Sequence, residues 1–522
     1  MQQPLEPVTA TSAWCDRNAL RVVAALFICL CAITVSLSIH LNDGKFVYPL
    51  DDTYIGMAMA KNFSQHGVWG VTRHEFTSSS STPLFSLILS GCYWLTGPNE
   101  WWPLVLAITF GVLSLWAADR IIRKFLSGSS RLVALAAFSV LPPMHILGTI
   151  GMEHSLHIFL TLLFVGCIAQ ALQEPQHIDL WLFIVTPLMV ATRYEGLFLV
   201  AMASLLLVRT RWKMAVSVSI VALLPVLVYG AVSLRLGCYW LPNAISMKGA
   251  MLNQLSIWPV VYNLCYVVRR APYMPVMCVA LLIAGAHLHG KSRYLSALSS
   301  LTSGGIVLHL LLADVGWVFR YEAYLIALGV VVLTCSGPLV RSRSALLVGA
   351  FCFCLLLARA GTASYDTLLR SAAIYQQQFQ MAQFVHSYFD GTSLAANDIG
   401  ALNYYSDLSC LDLTGLASNR IFWAKRAADY KTGVIESESL RQRVKLAMLY
   451  DDWFSPQPRV IFGGPPVPAN WIRVARWRIE SHGRVGSDTV SFYGTDEAAA
   501  EQLRAAMNEY RPRLPAAVQV LP

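Results

Sequence analysis

Residues 48–71 read YPLDDTYIGMAMAKNFSQHGVWGV. Two adjacent acids, Asp51 and Asp52, open a stretch in which Ile55, Met59 and Phe63 recur at i, i+4 and i+8, the spacing of one helix face. Either acid can cap the start of that helix, and Gly67 ends it. The pattern predicts an amphipathic helix over 52–66. Its flanks set the fold. Upstream lies an apolar run over 19–39 preceded by Arg17 and Arg21, too long for the core of a cleaved leader and followed by no small-x-small site. Downstream come the short apolar segment PLFSLILSGCYWLTG (83–97) and a further run over 101–118. A surface helix between membrane-length runs predicts a chain threaded through a bilayer, its N-terminus cytoplasmic and its first exported loop at 40–100.

Composition agrees. Of 522 residues, 56% are hydrophobic and 13% charged, against about 25% charged in a soluble domain. So apolar a chain needs lipid as solvent. The net charge of +9 does not indicate a nucleic-acid partner, because the basic residues form short clusters between apolar runs rather than a stripe. Crossing hydrocarbon takes roughly 17–25 residues, and candidate spans fall at 19–39, 101–118, 131–147, 154–172, 180–193, 195–208, 213–234, 272–288, 294–313, 321–337 and 344–360. About eleven spans put Arg120, Arg123 and Lys124, then Arg209, Arg211 and Lys213, then Lys291 and Arg293, then Arg341 and Arg343 on the cytoplasmic side. Counting 83–97 as a full crossing would export every one of these clusters, so it is expected to be interfacial. The expected fold is a mainly α polytopic membrane bundle over 1–360 followed by a soluble α/β domain over 361–522. In that domain polar residues become frequent, and Arg459–Phe462 and Thr489–Tyr493 read as strands. Most of the twelve cysteines sit in apolar runs, and no metal-type Cys/His spacing occurs.

With this threading, polar residues gather on the exported side, among them Asp51, Asp52, Glu75, Glu153, Arg193, Glu195, Arg235, Asn243, Lys248 and Arg320. A charge in hydrocarbon costs roughly 2.5–3.5 kcal/mol, so charged residues at several span ends on one face suggest a shared polar cavity. Taken singly, each has a plainer use. Asp51 and Asp52 serve as N-caps, Lys248 as a solvated lysine, Arg320 as an interfacial anchor, and Glu153 and Glu195 as structural partners of Arg193.

The segments DDTYI, AKNFSQHGVWG and STPLFSLIL resemble the first exported loop of GT-C superfamily glycosyltransferases, in particular the mycobacterial-type terminal arabinofuranosyltransferases and their Gram-negative relatives. Further similar segments follow in the family's order: GMEHSLHIFLTLL (151–163), ATRYEGLFL (191–199), LGCYWLPNAISMKG (236–249), FRYEAYLIAL (319–328) and ANDIGALNYYSDLSCLDLTGL (396–416). His154 departs from the pattern, standing where Thr is usual. The resemblance implies an inverting transfer of a sugar from a polyprenyl-phosphate donor to a glycan or glycolipid acceptor at the periplasmic face of a bacterial inner membrane. It implies Asp51 as the base, with Asp52 orienting it or sharing a divalent ion.

The leaving phosphate needs positive charge. Lys248 and Arg320 are the first candidates, then Arg193 and Arg235. Glu75, Glu153, Glu195 and Asn243 are candidates for sugar or acceptor hydroxyls. Tyr404, Tyr405, Trp423 and Trp453 can stack on sugar rings or pack in a core. The rival is a transporter or flippase of lipid-linked sugar, which predicts midplane charges and inverted repeats; the sequence has sparse mid-span charge and no such repeat.

Overall fold

The computed structural model describes residues 10–174, 179–248, 257–340, 342–456 and 462–522. In chain order its helices begin with α1 (Ala10–Leu41), α2 (Asp51–His66), α3 (Pro83–Thr96), α4 (Trp101–Ile122), α5 (Gly128–Val140), α6 (Met144–Thr149) and α7 (His154–Gln173). Next come α8 (Trp181–Thr192), α9 (Gly196–Arg235), α10 (Asn243–Lys248), α11 (Ile257–Arg270), α12 (Tyr273–Leu288), α13 (Arg293–Leu312), α14 (Ala323–Ser336) and α15 (Arg343–Ile374). The last are α16 (Gln380–Tyr388), α17 (Gly400–Tyr405), α18 (Asn419–Arg426), α19 (Thr432–Gln442) and α20 (Glu497–Tyr510). The chain divides into two compact units. One holds residues 1–34, 104–227 and 254–365; the other holds 35–103, 228–253 and 366–522.

The first unit is a helical bundle around α14. Its sequence, AYLIALGVVVLTCS, is apolar all round, and a helix of that kind is stable only when enclosed. It packs against α5, α7, α12 and α13, and Ala323 to Val332 are all buried. Gly329 permits the closest approach: a Cβ there would lie 2.4 Å from Met277 Sδ of α12. The outer helices face the other way. On α9, Leu205, Val208, Trp212, Ile220, Leu223 and Leu224 are exposed, as are Leu346, Leu347, Phe351 and Leu357 on α15. Surfaces this apolar belong against lipid.

Ten of the expected spans each overlap one helix or one half of α9, and that at 131–147 is divided between α5 and α6 by a turn. By length and apolarity alone, six of the described helices suffice to cross a membrane, or seven if the pair Leu264–Arg270 and Tyr273–Leu288, bent by 91°, is one span. The other expected spans ride on shorter apolar helices (Gly128–Val140, Trp181–Thr192, Ala323–Leu339) and on the two halves of α9. That helix has 40 residues, or about 60 Å of rise, twice a hydrocarbon core of about 30 Å. It breaks at Arg211, whose φ of −144° and ψ of 52° are not helical.

The second unit is built on a six-stranded mixed sheet of β1 (Ser393–Ala396), β2 (Ser409–Asp412), β3 (Leu446–Leu449), β4 (Ile472–Arg478), β5 (Thr489–Gly494) and β6 (Gln519–Leu521), in the order β2-β1-β3-β5-β4-β6. β1 pairs in parallel with β2 and β3; the other pairings are antiparallel. Alternation separates two cores. Ala395, Ala447, Leu449 and Tyr493 face a cluster that includes Ile421 of α18 and Ile435 of α19. On the other face Trp477 and Phe492 (4.5 Å between ring centroids) meet Phe384 of α16 and Tyr510 of α20. A bulge makes both faces possible. Between Arg473 and Ala475, β4 advances two residues while its partner β5 advances one, from Tyr493 to Phe492, which switches the face that following side chains occupy. The expected strand at Thr489–Tyr493 is β5; residues 459–461 of the other expected strand, and Arg341, lie outside the described residues.

Candidate functional site

The helix expected over 52–66 is α2, Asp51–His66, and Gly67 ends it with a φ of 68°, a left-handed conformation that glycine adopts without a Cβ clash. Two details differ from the expectation. Neither acid caps α2: the N-cap is Leu50, and no side chain bonds there. The buried face is Thr53, Tyr54, Met57, Ala58 and Met59, whereas Phe63 is 37% exposed. The helix turns its aromatic and small residues inward because α17 and α3 cover that side.

Asp51 binds a different helix. Its Oδ2 accepts the Gly400 N–H at 2.7 Å and its Oδ1 the Ala401 N–H at 2.8 Å, the first two amides of α17. Ten residues on, Lys61 Nζ donates to the carbonyls of Asn403 (2.9 Å) and Tyr404 (2.7 Å) at the other end of α17. One helix thus holds both poles of another, an anion at the N-terminus and a cation at the C-terminus, as the helix dipole favours. Gly400 is required by contact: a Cβ there would come within 2.2 Å of the Asp51 carbonyl oxygen and 2.8 Å of its carboxyl carbon.

Asp398 precedes these amides by two residues. Its Oδ2 accepts from Gln378 Nε2 at 2.7 Å and from Tyr450 Oη at 2.5 Å. The π-helical turn Tyr375–Phe379 brings both Gln377 and Gln378 to Tyr450: Gln378 Nε2 donates to its hydroxyl at 2.9 Å, and Gln377 Oε1 lies 2.7 Å from it. Burial raises the Asp51 pKa to about 7, and the neighbouring Asp398 charge adds to this; the Ala401 and Gly400 N–H groups pull it back, and Asp52 raises it slightly. Asp398 is raised as well, by burial first, against the Tyr450 and Gln378 hydrogen bonds. Two acids beside one another in a dry setting cannot both ionise easily. Sequence reading missed Asp398, although it lies within the quoted ANDIGALNYY segment; Asp51 is 347 positions away, and no local pattern links them.

The remaining sequence candidates of this unit fall elsewhere. Asn243 is fully buried, its N–H donates to Ser78 O at 2.7 Å, and its side-chain amide donates to Leu416 O at 3.1 Å. Its backbone and side-chain N–H groups thus tie the loops at Ser78 and Leu416 together. Glu75 and Arg235 are exposed. Lys248 ends α10, and its side chain lies outside the described residues. Tyr404 is buried and packs on Tyr54 and Tyr405, a core role; Trp423 is 41% exposed. A divalent ion shared by Asp51 and Asp52 would meet a carboxylate whose two oxygens each already accept one N–H bond and keep a second lone pair. No group of three or more His, Cys, Asp or Glu suited to a metal occurs among the described residues.

In the bundle unit Arg193, Glu153, Glu195 and Arg320 come together. Arg193 donates from Nη1 to Glu153 Oε1 at 2.7 Å and from Nη2 to Glu195 Oε1 at 2.5 Å. The Arg193 and Arg320 guanidinium carbons lie 5.3 and 5.1 Å from the Tyr321 ring centre, a cation–π arrangement that holds two like charges in one place. His154 lies 3.4 Å from Glu153, so the departure at 154 sets an imidazole beside that carboxylate. Arg320 is 2% exposed and follows a turn with unusual backbone. Gly316, Val318 and Phe319 have φ of 77°, 53° and 57°. For a β-branched residue this is an outlier, and each such non-glycine residue costs on the order of 1–3 kcal/mol.

A family model described as a domain of unknown function (DUF8728) matches residues 371–493. A search of the curated proteins found no match. Among solved structures, ArnT from Cupriavidus metallidurans bound to undecaprenyl phosphate is similar at a TM-score of 0.50 and 12% identity, covering 94% of this chain and 99% of that one. The Archaeoglobus fulgidus oligosaccharyltransferase tethered with an acceptor peptide has a TM-score of 0.48 at 12% identity, over 98% of this chain and 76% of that one. The arabinofuranosyltransferase AftD from Mycobacteria has 0.42 at 14%, over 90% and 41%. The likeness to ArnT runs nearly the length of both chains, and at such identity it speaks to fold. The chain is a multi-pass membrane protein whose fold is similar to that of ArnT from Cupriavidus metallidurans.

Proposed function

We propose that this protein is an inverting glycosyltransferase that moves a sugar from a polyprenyl-phosphate donor to a glycan or glycolipid hydroxyl at the periplasmic face of a bacterial inner membrane. The observation that carries the reading is Asp51: its oxygens are each fixed by one backbone N–H, and its pKa is raised to about 7. A carboxylate oxygen has two lone pairs, so each keeps one to accept a proton, and a pKa near the working pH suits a general base. The undecaprenyl phosphate bound to the similarly folded ArnT supports the lipid half of the donor.

In this reading Asp51 takes the proton of the acceptor hydroxyl as its oxygen attacks the anomeric carbon. The bond from that carbon to the phosphate oxygen breaks, its electron pair leaves with the polyprenyl phosphate, and the configuration inverts. Asp52 orients the Asp51 base. Arg320 neutralises the leaving phosphate, with Lys248 as a second cation. Arg193, held by Glu153 and Glu195, shares the Tyr321 ring with Arg320 and fixes the charge beside it. The test is a transfer assay with purified lipid-linked sugars. Asp51→Asn is expected to abolish transfer while undecaprenyl phosphate still binds; wild-type turnover in that variant overturns the assignment. Movement of lipid-linked sugar across liposomes without transfer would instead support a flippase.

A further inference from the structure

The turn before Arg320 is held by side chains that the proposed chemistry leaves unused. Glu322, fully buried, accepts the Gly316 N–H on Oε2 at 2.9 Å. Its Oε1 accepts from Tyr273 Oη at 2.6 Å and from Arg359 Nη2 at 2.8 Å. The same Arg359 nitrogen donates to Phe319 O at 2.6 Å. Its guanidinium lies 5.3 Å from the Phe319 ring centre and 5.1 Å from that of Tyr273. The ion pair therefore grips the turn at both ends, at Gly316 and at Phe319. Between those grips Val318 and Phe319 occupy the left-handed region.

Strained backbone persists only where its surroundings over-determine it, and here those surroundings include a buried ion pair that bonds both ends of the turn. Such a pair is a poor source of stability, since desolvation offsets most of its attraction; fixing a geometry is the better account of it. We infer that Glu322 and Arg359 are positioning residues, a clamp that holds the Gly316–Phe319 turn in its left-handed conformation and so fixes the backbone from which Arg320 extends. The inference rests on the proposal that Arg320 binds the donor phosphate. It assigns to α15, through Arg359, a part in lipid-phosphate affinity that its apolar sequence does not suggest.

The test uses the full chain in lipid nanodiscs with undecaprenyl phosphate as probe. Arg320→Met is expected to weaken its binding about tenfold or more, the loss of a charge-assisted hydrogen bond. Arg359→Met is expected to weaken it comparably, and the double variant no further, because both act through one side chain. Val318→Gly placed in the Arg359→Met background is expected to restore part of the affinity, since glycine adopts positive φ without a clamp. A role in folding alone would give no such rescue. Should Arg359→Met fail to fold, Arg359→Lys with and without Val318→Gly makes the same comparison. Wild-type binding by Arg359→Met beside weakened Arg320→Met overturns the clamp and leaves the phosphate assignment standing, as do additive losses without rescue. Wild-type binding by Arg320→Met overturns the phosphate assignment, and the clamp with it.

Discussion

At Asp51 two influences oppose each other. The Gly400 and Ala401 amides favour the carboxylate, while burial and the Asp398 charge favour the acid, and the second pair wins, leaving the pKa near 7. A base must be ionised to work, so transfer is expected to rise with pH through about 7 and level off above it. Asp398→Asn removes a negative neighbour, which lowers the Asp51 pKa and moves that rising limb to lower pH. Measuring kcat against pH for the two proteins checks this; an unmoved limb would show that the two carboxylates do not interact in catalysis. Asp51→Asn, by contrast, removes the limb together with the activity.

At the scale of elements, α2 and α17 act as one part. Gly400→Ala forces a Cβ to 2.2 Å from the Asp51 carbonyl oxygen, a collision of backbone with backbone that only a shift of one helix relieves. Displacement of about 1 Å costs on the order of 100-fold in rate, so kcat is expected to fall by that order with little change in undecaprenyl phosphate binding; full activity would mean that α17 does not position the base. Lys61→Met removes the cation at the other end of α17 and is expected to cost about 2 kcal/mol, seen as a lower thermal midpoint in detergent, with an unchanged midpoint counting against the two-ended grip. Much of this part is legible in the sequence. The helix over 52–66, its stop at Gly67 and the strand at Thr489–Tyr493 follow from turn chemistry and periodicity, which are local. Of the apolar stripe Ile55, Met59 and Phe63 only Met59 is fully buried, because what covers the helix is decided by α17, some 340 residues away. The same distance hid Asp398 and the partner of the Asp51 carboxylate. The bulge in β4 was also invisible, since Arg473 and Ala475 share a parity that alternation alone assigns to one face.

For the whole molecule, the parity of crossings carries the sidedness of the chemistry. The basic clusters stand at helix junctions: Arg120 to Lys124 end α4, Arg209 to Lys213 surround the break in α9, Lys291 and Arg293 join α12 to α13, and Arg343 opens α15. Retaining Lys and Arg on the cytoplasmic side at all four junctions requires an even number of crossings between successive clusters. The pairs α5–α6 with α7, α8 with the first half of α9, the second half of α9 with α12, and α13 with α14 meet that requirement when the short helices cross. An odd total, such as the expected eleven, would put the two chain ends on opposite sides, whereas six crossings would put them together. Alkaline phosphatase fused after Pro522 is accordingly expected to be active and a fluorescent protein there dark, while phosphatase inserted at Gly290 stays silent. The opposite pattern at Pro522 would put the Asp51 site on the same side as the nucleotide-sugar pool, remove the need for a donor carried by lipid, and undo the proposed reaction at its first premise.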